Sequence, residues 1–293
     1  MDSIKARVSN GAHRTAATTV KPRRTHHAST TDPVHRIGSC VHERGPGISD
    51  HVRRPDGERH PNVGVVVIDR NAASPGPDIT CSGTLISDKV FLTVAHCVDV
   101  LESVGTTYWV SFATTYDEDA SAPTGLIAGN AIKHPLWGSG GQSDTHDIAV
   151  IVLADSPGLT PAQLPTAGLL DQLKASGQLR DQTFTTVGYG AVRTDKSGGP
   201  HANEGRDGVR RYALQSFQSL RPNSLELSQN PSTGDGGICA GDSGGPHFLG
   251  GVDSNLVVST TVRTDRWCRA TNQTYRLDTQ SARDFLAPFV TLP

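Results

Sequence analysis

The chain is expected to be an all-β protein, and three observations lead there. Its 293 residues include 31 glycines and 18 prolines but only 5% aromatics, a balance that favours many short strands joined by turns. Twelve short, β-branched segments bounded by turn residues fall into two sets of six, which suggests two sheets or barrels. Convincing helical periodicity is confined to the carboxy-terminal stretch.

The first set of strands begins after Pro61 with VGVVVI (63–68), CSGTLIS (81–87) and VFLTVAHCV (90–98). It continues with YWVSFA (108–113), LIAGNAIKH (126–134) and DIAVIVLA (147–154). The second set opens with QTFTTVGYGAV (182–192), RRYALQSFQSL (210–220) and SLELSQ (224–229), then PHFLG (246–250), NLVVSTTVRT (255–264) and QTYRLDT (273–279). These runs place the first half of the fold at about residues 60–160 and the second at about 178–280. Between them LPTAGLLDQLKASG (164–177) reads as a short helix or a linker. At the end Ala282, Phe285, Leu286 and Phe289 recur at i, i+3, i+4 and i+7, with Asp278 or Thr279 as the cap, predicting a helix over about 279–289.

Residues 1–47 have a different character. Their Thr, Ser, His, Arg and Pro mixture lacks apolar periodicity, so they read as a disordered tail or pro-segment ahead of a domain spanning 48–293. The first 60 residues carry eleven Lys/Arg against six Asp/Glu, whereas the whole chain has a net charge of -2. That balance suggests neither a nucleic-acid nor a membrane partner, and the basic tail is read as solvated. No apolar run is long enough to span a bilayer, and the amino terminus lacks the apolar core of a secretory signal. The five cysteines, Cys40, Cys81, Cys97, Cys239 and Cys268, fit no CxxC metal or redox spacing. No metal or cofactor is expected.

The pentapeptide SGGPH occurs twice, at 197–201 and 243–247, so two serines compete as nucleophile. Gly241 to Gly245 satisfies G-x-S-x-G, but the nucleophile elbow of α/β-hydrolases requires a histidine after its serine. Only His247 follows Ser243, four residues on, so that reading fails on chain order. A base and an orienting acid must then lie upstream, since a serine needs a neutral imidazole to take its proton and a carboxylate to hold that imidazole. Seven of the twelve histidines lie at or before His60 and read as solvated; His134, His146, His201 and His247 sit beside prolines or polar turns, where surface histidines are common. His96 ends an apolar strand beside Cys97. Asp147 enters another apolar strand, where an unpaired carboxylate is costly. Taken singly, His96 reads as a structural histidine and Asp147 as a strand-start cap.

In order, LTVAHC, HDIAVIVL and CAGDSGGP resemble the three signature blocks of the chymotrypsin/trypsin-like serine peptidases. CSGTLIS, TTVGYGA and YRLDTQSARDFL extend the resemblance over about 61–286, the last being similar to bacterial secreted members. The resemblance implies two six-stranded antiparallel β-barrels with a C-terminal helix, in a serine endopeptidase working through an acyl-enzyme. It implies His96 as general base and acid, Asp147 as orienting carboxylate and Ser243 as nucleophile, with the backbone N–H groups of Gly241 and Ser243 forming the oxyanion hole. Disulfides Cys81–Cys97 and Cys239–Cys268 are also implied, each contributing roughly 2–4 kcal/mol. So are a secreted location, a protein or peptide substrate and a monomeric state. Ser197, in the polar stretch RTDKSGGPHANEGRDG, has none of this support.

In the family a freed Ile or Val amino terminus pairs with the aspartate before the nucleophile, here Asp242. Cleavage at Gly47–Ile48 is expected to supply it, with Val52 as the alternative, although His51 stands where the family prefers glycine. The position six before the nucleophile, Asp in trypsin-like members, is Gly237, followed by Ile238; Asp235 lies two residues before it. On the opposite wall Arg263 or Thr264 replaces Trp or Gly. Gly237, Ile238, Arg263 and Thr264 line the expected substrate pocket, in which Arg or Lys at P1 should not dominate. The altered wall and activation segment leave a second class open, a catalytically silent relative used as a binding module.

Overall fold

A computed structural model describes residues 53–68, 78–102, 108–117, 124–139, 144–192 and 206–293. Cys40, Ile48, Val52, Ser197 and His201, and with them the expected tail and cleavage site, lie outside the described residues. The elements in order are β1 (Arg54–Pro55), β2 (Val63–Ile68), β3 (Asp78–Leu85), β4 (Val90–Thr93), α1 (Ala95–Glu102), β5 (Tyr108–Ser111), β6 (Ile127–Lys133) and β7 (Ala149–Leu153). After α2 (Leu169–Ala175) come β8 (Thr183–Gly188), β9 (Arg211–Leu220), β10 (Ser224–Ser228), β11 (Pro246–Leu249), β12 (Val257–Thr264), β13 (Thr271–Arg276) and α3 (Gln280–Leu286).

The strands close into two antiparallel six-stranded barrels. The first runs β2-β3-β4-β7-β6-β5, and the second runs β9-β10-β13-β12-β11-β8 with β8 returning to β9. Numbered within its own set, each barrel has the same order, first-second-third-sixth-fifth-fourth. The short β1 pairs with the outside of β9, Arg54 opposite Tyr212.

The all-buried β2 explains why two barrels form rather than one. Its period-2 alternation sends Val63, Val65 and Val67 into a cluster shared with Val187, Tyr189 and Phe248 of the second barrel, while Val66 and Ile68 fill the first barrel with Leu85, Phe91 and Ile151. Phe184, Leu225, Leu227 and Val258 fill the second barrel beneath Leu170 of α2. VGVVVI is accordingly apolar on both sides, as a strand buried between two cores requires.

Three expectations change. The segment 90–98 is not one strand: β4 stops at Thr93 and α1 begins at Ala95, a choice that a short apolar run does not encode. The C-terminal helix is shorter than expected and is capped by Thr279, whose side chain accepts from Ala282 N; Asp278 instead accepts from Leu170 N at 2.8 Å and pairs with Arg276. Finally, His60, His134 and His247, read as solvated, are buried. His247 falls on β11 facing Thr261, which meets its Nε2 at 2.9 Å, and burial pushes its pKa down to about 3. His60 is held by Asp56, and His134 stacks on His146 beside Phe285.

Candidate active site

Strand pairing brings the first two residues together. β4 and β7 are antiparallel neighbours with Thr93 opposite Ala149, so the end of β4 lies beside the start of β7. His96 follows the first by three positions and Asp147 precedes the second by two. The Asp147 carboxylate accepts twice from His96: from its backbone N–H at 2.9 Å and from its ring Nδ1 at 2.7 Å. Asp147 is only 2% exposed, whereas the His96 side chain is 31% exposed. A buried carboxylate facing Nδ1 keeps the ring proton there, leaving Nε2 on the open side as an acceptor.

The dipeptide Cys81-Ser82 on β3 carries Ser243 into the same neighbourhood. Cys81 is bonded to Cys97, one residue beyond His96. Ser82 N donates to Ser243 O at 2.8 Å, and Ser82 Oγ donates to Gly241 O at 2.9 Å. A Cβ on Gly244 would lie 2.2 Å from Thr93 Oγ1, so the nucleophile loop is packed directly on the strand leading to His96. Sequence reading passed over Ser82, because a buried serine in CSGTLIS is indistinguishable from an ordinary strand residue.

The loop from Cys239 to Gly245 is tied down by its own amides. Asp242 N donates to Cys239 O, Gly244 N to Thr261 O and Gly245 N to Asp242 O. Gly241 and Ser243 have no acceptor for their N–H groups among the described residues. Gly241 has φ +99, a conformation that L side chains rarely adopt, and its peptide orientation follows from that. The second disulfide, Cys239–Cys268, joins this loop to the segment after β12.

Asp242 has a partner other than the expected amino terminus. Its carboxylate is gripped by Arg53, Nη1 to Oδ2 and Nη2 to Oδ1, both at 2.7 Å. Arg53 stands in the polar stretch HVRRPDG, and nothing in its pattern separates it from Arg54 beside it.

Of the expected pocket residues, Gly237, Ile238 and Thr264 converge on one side chain, Gln229, which is fully buried. Gln229 Oε1 accepts from Ile238 N at 3.0 Å, while Nε2 donates to Thr264 Oγ1 and to Asp265. A Cβ at position 237 would lie 2.2 Å from Gln229 Oε1, so no carboxylate fits there. Asp235 accepts from Ser216 and Thr233 instead. Arg263 turns away from this group: it is exposed, and its Nε donates to Gln273 at 2.6 Å. It borders a cleft of about 210 Å³ whose other walls include Trp137, Asp147, Val262 and Tyr275.

Among the described residues, Cys81, His96 and Cys97 lie close enough to share a metal ion, but the two sulfurs are bonded to each other.

Residues 52–277 match the trypsin family model, and the chain belongs to that family. It is 29% identical over 171 residues to bovine chymotrypsin-like elastase family member 1, covering 57% of this chain and 61% of the relative. It is 27% identical over 197 residues to the human protein of that name, covering 66% of this chain and 74% of the relative, and 31% identical over 176 residues to bovine chymotrypsin-C, covering 57% and 60%. The matched region thus spans about three fifths of the bovine relatives. In fold it is similar to a solved HL collagenase structure, with a TM-score of 0.55 at 18% identity, covering 78% of this chain and 93% of the other.

Proposed function

We propose that this chain is a serine endopeptidase in which Ser243, His96 and Asp147 act as one unit. The observation that carries the reading is the double acceptance by Asp147 from His96, which fixes the ring and leaves Nε2 free to act as base. Ser243 Oγ attacks the scissile carbonyl carbon as its proton passes to His96 Nε2. The oxyanion that forms is met by the N–H groups of Gly241 and Ser243. Collapse breaks the C–N bond, and the leaving amine takes the proton from Nε2. Water then attacks the acyl-enzyme by the reverse proton path. No cofactor enters these steps. Protein or peptide is the substrate and a monomer suffices; two disulfides favour an oxidising, secreted location.

The test is covalent labelling with a fluorophosphonate. The protein should label, Ser243→Ala should not, and Ser197→Ala should label like wild type. Failure of the wild-type chain to label would favour the silent binding module.

The neutral Gln229 amide that fills the space beside Gly237 and the engaged Asp235 support a second expectation. Cleavage of a peptide library should show no dominance of Arg or Lys at P1, and a strong tryptic preference would refute it.

A further inference from the structure

We infer that Arg53 is the positioning residue for the oxyanion loop, doing within the uncut chain what a freed amino terminus was expected to do. The inference rests on the reading of Ser243 as nucleophile, and four features of the site carry it. First, the ion pair is buried, with 4% of the Arg53 side chain and 1% of the Asp242 side chain exposed. A carboxylate in that setting needs a cation, and the two parallel N–H···O bonds provide one with a fixed geometry. Second, the carboxylate is fully engaged. Oδ1 accepts from Arg53 Nη2 and Gly190 N, and Oδ2 accepts from Arg53 Nη1 and Cys239 N. An ammonium arriving from Ile48 or Val52 would find no acceptor without displacing one of these donors. Third, Arg53 is itself anchored, Nη1 donating to Gly190 O at 3.1 Å and Nη2 to Gly188 O at 3.3 Å. Fourth, the turn VGYGA is cut to admit the carboxylate: a Cβ on Gly188 or Gly190 would lie 2.3 or 2.2 Å from an Asp242 oxygen.

The consequence follows from the neighbouring bonds. Asp242 lies between the two residues whose amides face the substrate oxyanion, and its carboxylate also holds Cys239 N at the start of the loop. Fixing that side chain fixes the peptides on either side, so the loop is formed before any cleavage. Because Arg53 follows both expected cleavage sites, the loop it holds needs no cleavage, and the uncut chain is active.

The experiment uses the full chain, with its intact mass measured before and after fluorophosphonate labelling. The label should appear on the uncut 293-residue polypeptide. A label found only on species beginning at Ile48 or Val52 would overturn the inference. Arg53→Gln should lower kcat on a peptide ester by about 100-fold or more, the scale of losing an oxyanion donor, with KM changed by less than about threefold. Arg53→Lys keeps the charge without the fork and should retain more kcat than the glutamine; a lysine no better than glutamine, or a glutamine variant near wild type, would count against the inference. Arg54→Gln, whose side chain is exposed, should change neither constant.

A second readout stands apart from activity. In a Ser243→Ala background, amide hydrogen exchange over 239–245 should quicken in Arg53→Gln and in Asp242→Asn, with no further change when the two are combined. If wild type neither labels nor turns over, that coupling still supports Arg53 as the loop's anchor while the endopeptidase reading falls. Unchanged exchange would overturn the anchor.

Discussion

Asp147→Asn should lower kcat on the order of 10⁴-fold while leaving the fold in place; that magnitude is carried over from the archetypal triad of this family. The physical basis here is the pair of bonds Asp147 accepts. An asparagine can still accept His96 N–H with its carbonyl oxygen, but its amide nitrogen then faces Nδ1. Because that nitrogen donates, the ring proton is driven to Nε2, the atom that has to accept from Ser243. Binding should survive, since asparagine has nearly the same size as aspartate and Asp147 meets His96 through its backbone N–H and Nδ1 rather than Nε2. The check is a kcat and KM measurement with a peptide ester, alongside active-site titration to exclude traces of wild type. A fall of less than tenfold would remove Asp147 from the mechanism.

Much of this site is legible in the chain because its chemistry depends on residues next to strong markers. His96 stands beside a cysteine, Asp147 opens an apolar strand, and Ser243 is flanked by glycines that the close packing on Thr93 and the turn at Gly241 require. The strands are legible for a related reason: they are short, β-branched runs bounded by turn residues, whether buried on both faces like β2 or half-exposed like β6. What escaped was everything set by long-range pairing. Ser82 reaches Gly241 across 159 positions and Arg53 reaches Asp242 across 189, and neither residue type is unusual where it stands. Buried His60, His134 and His247 escaped for the same reason, since each is enclosed by elements distant in sequence. The helix at His96 is hidden in VFLTVAHCV, a short apolar run that periodicity alone does not assign to strand or helix.

The largest stability effect should come from Asp56→Ala, at about 3–5 kcal/mol, the usual scale for stranding a buried charge. Arg210 is 1% exposed and Asp56 2%. The carboxylate accepts from Arg210 Nε at 2.9 Å and from His60 N at 3.1 Å, and meets His60 Nδ1 at 2.5 Å. Arg210 also donates to Val63 O and Phe112 O of the first barrel and to Gly57 O, although it immediately precedes β9 of the second. The guanidinium therefore staples the two barrels, and removing Asp56 leaves its charge without a carboxylate. Burial by itself would raise the Asp56 pKa, but the His60 hydrogen bond and the charges of His60 and Arg210 outweigh it and hold the group below its ordinary value of 3.8. A carboxyl with a depressed folded pKa contributes its full stability above the unfolded value and loses it as pH falls through the folded one. The cost of Asp56→Ala should accordingly be complete at neutral pH and shrink only below about pH 4. Urea unfolding with the disulfides intact measures it, and the decisive comparison is the double variant with Arg210→Met. If the loss comes from a stranded cation, the double variant is more stable than Asp56→Ala alone, whereas additive losses would mean that the two residues act separately.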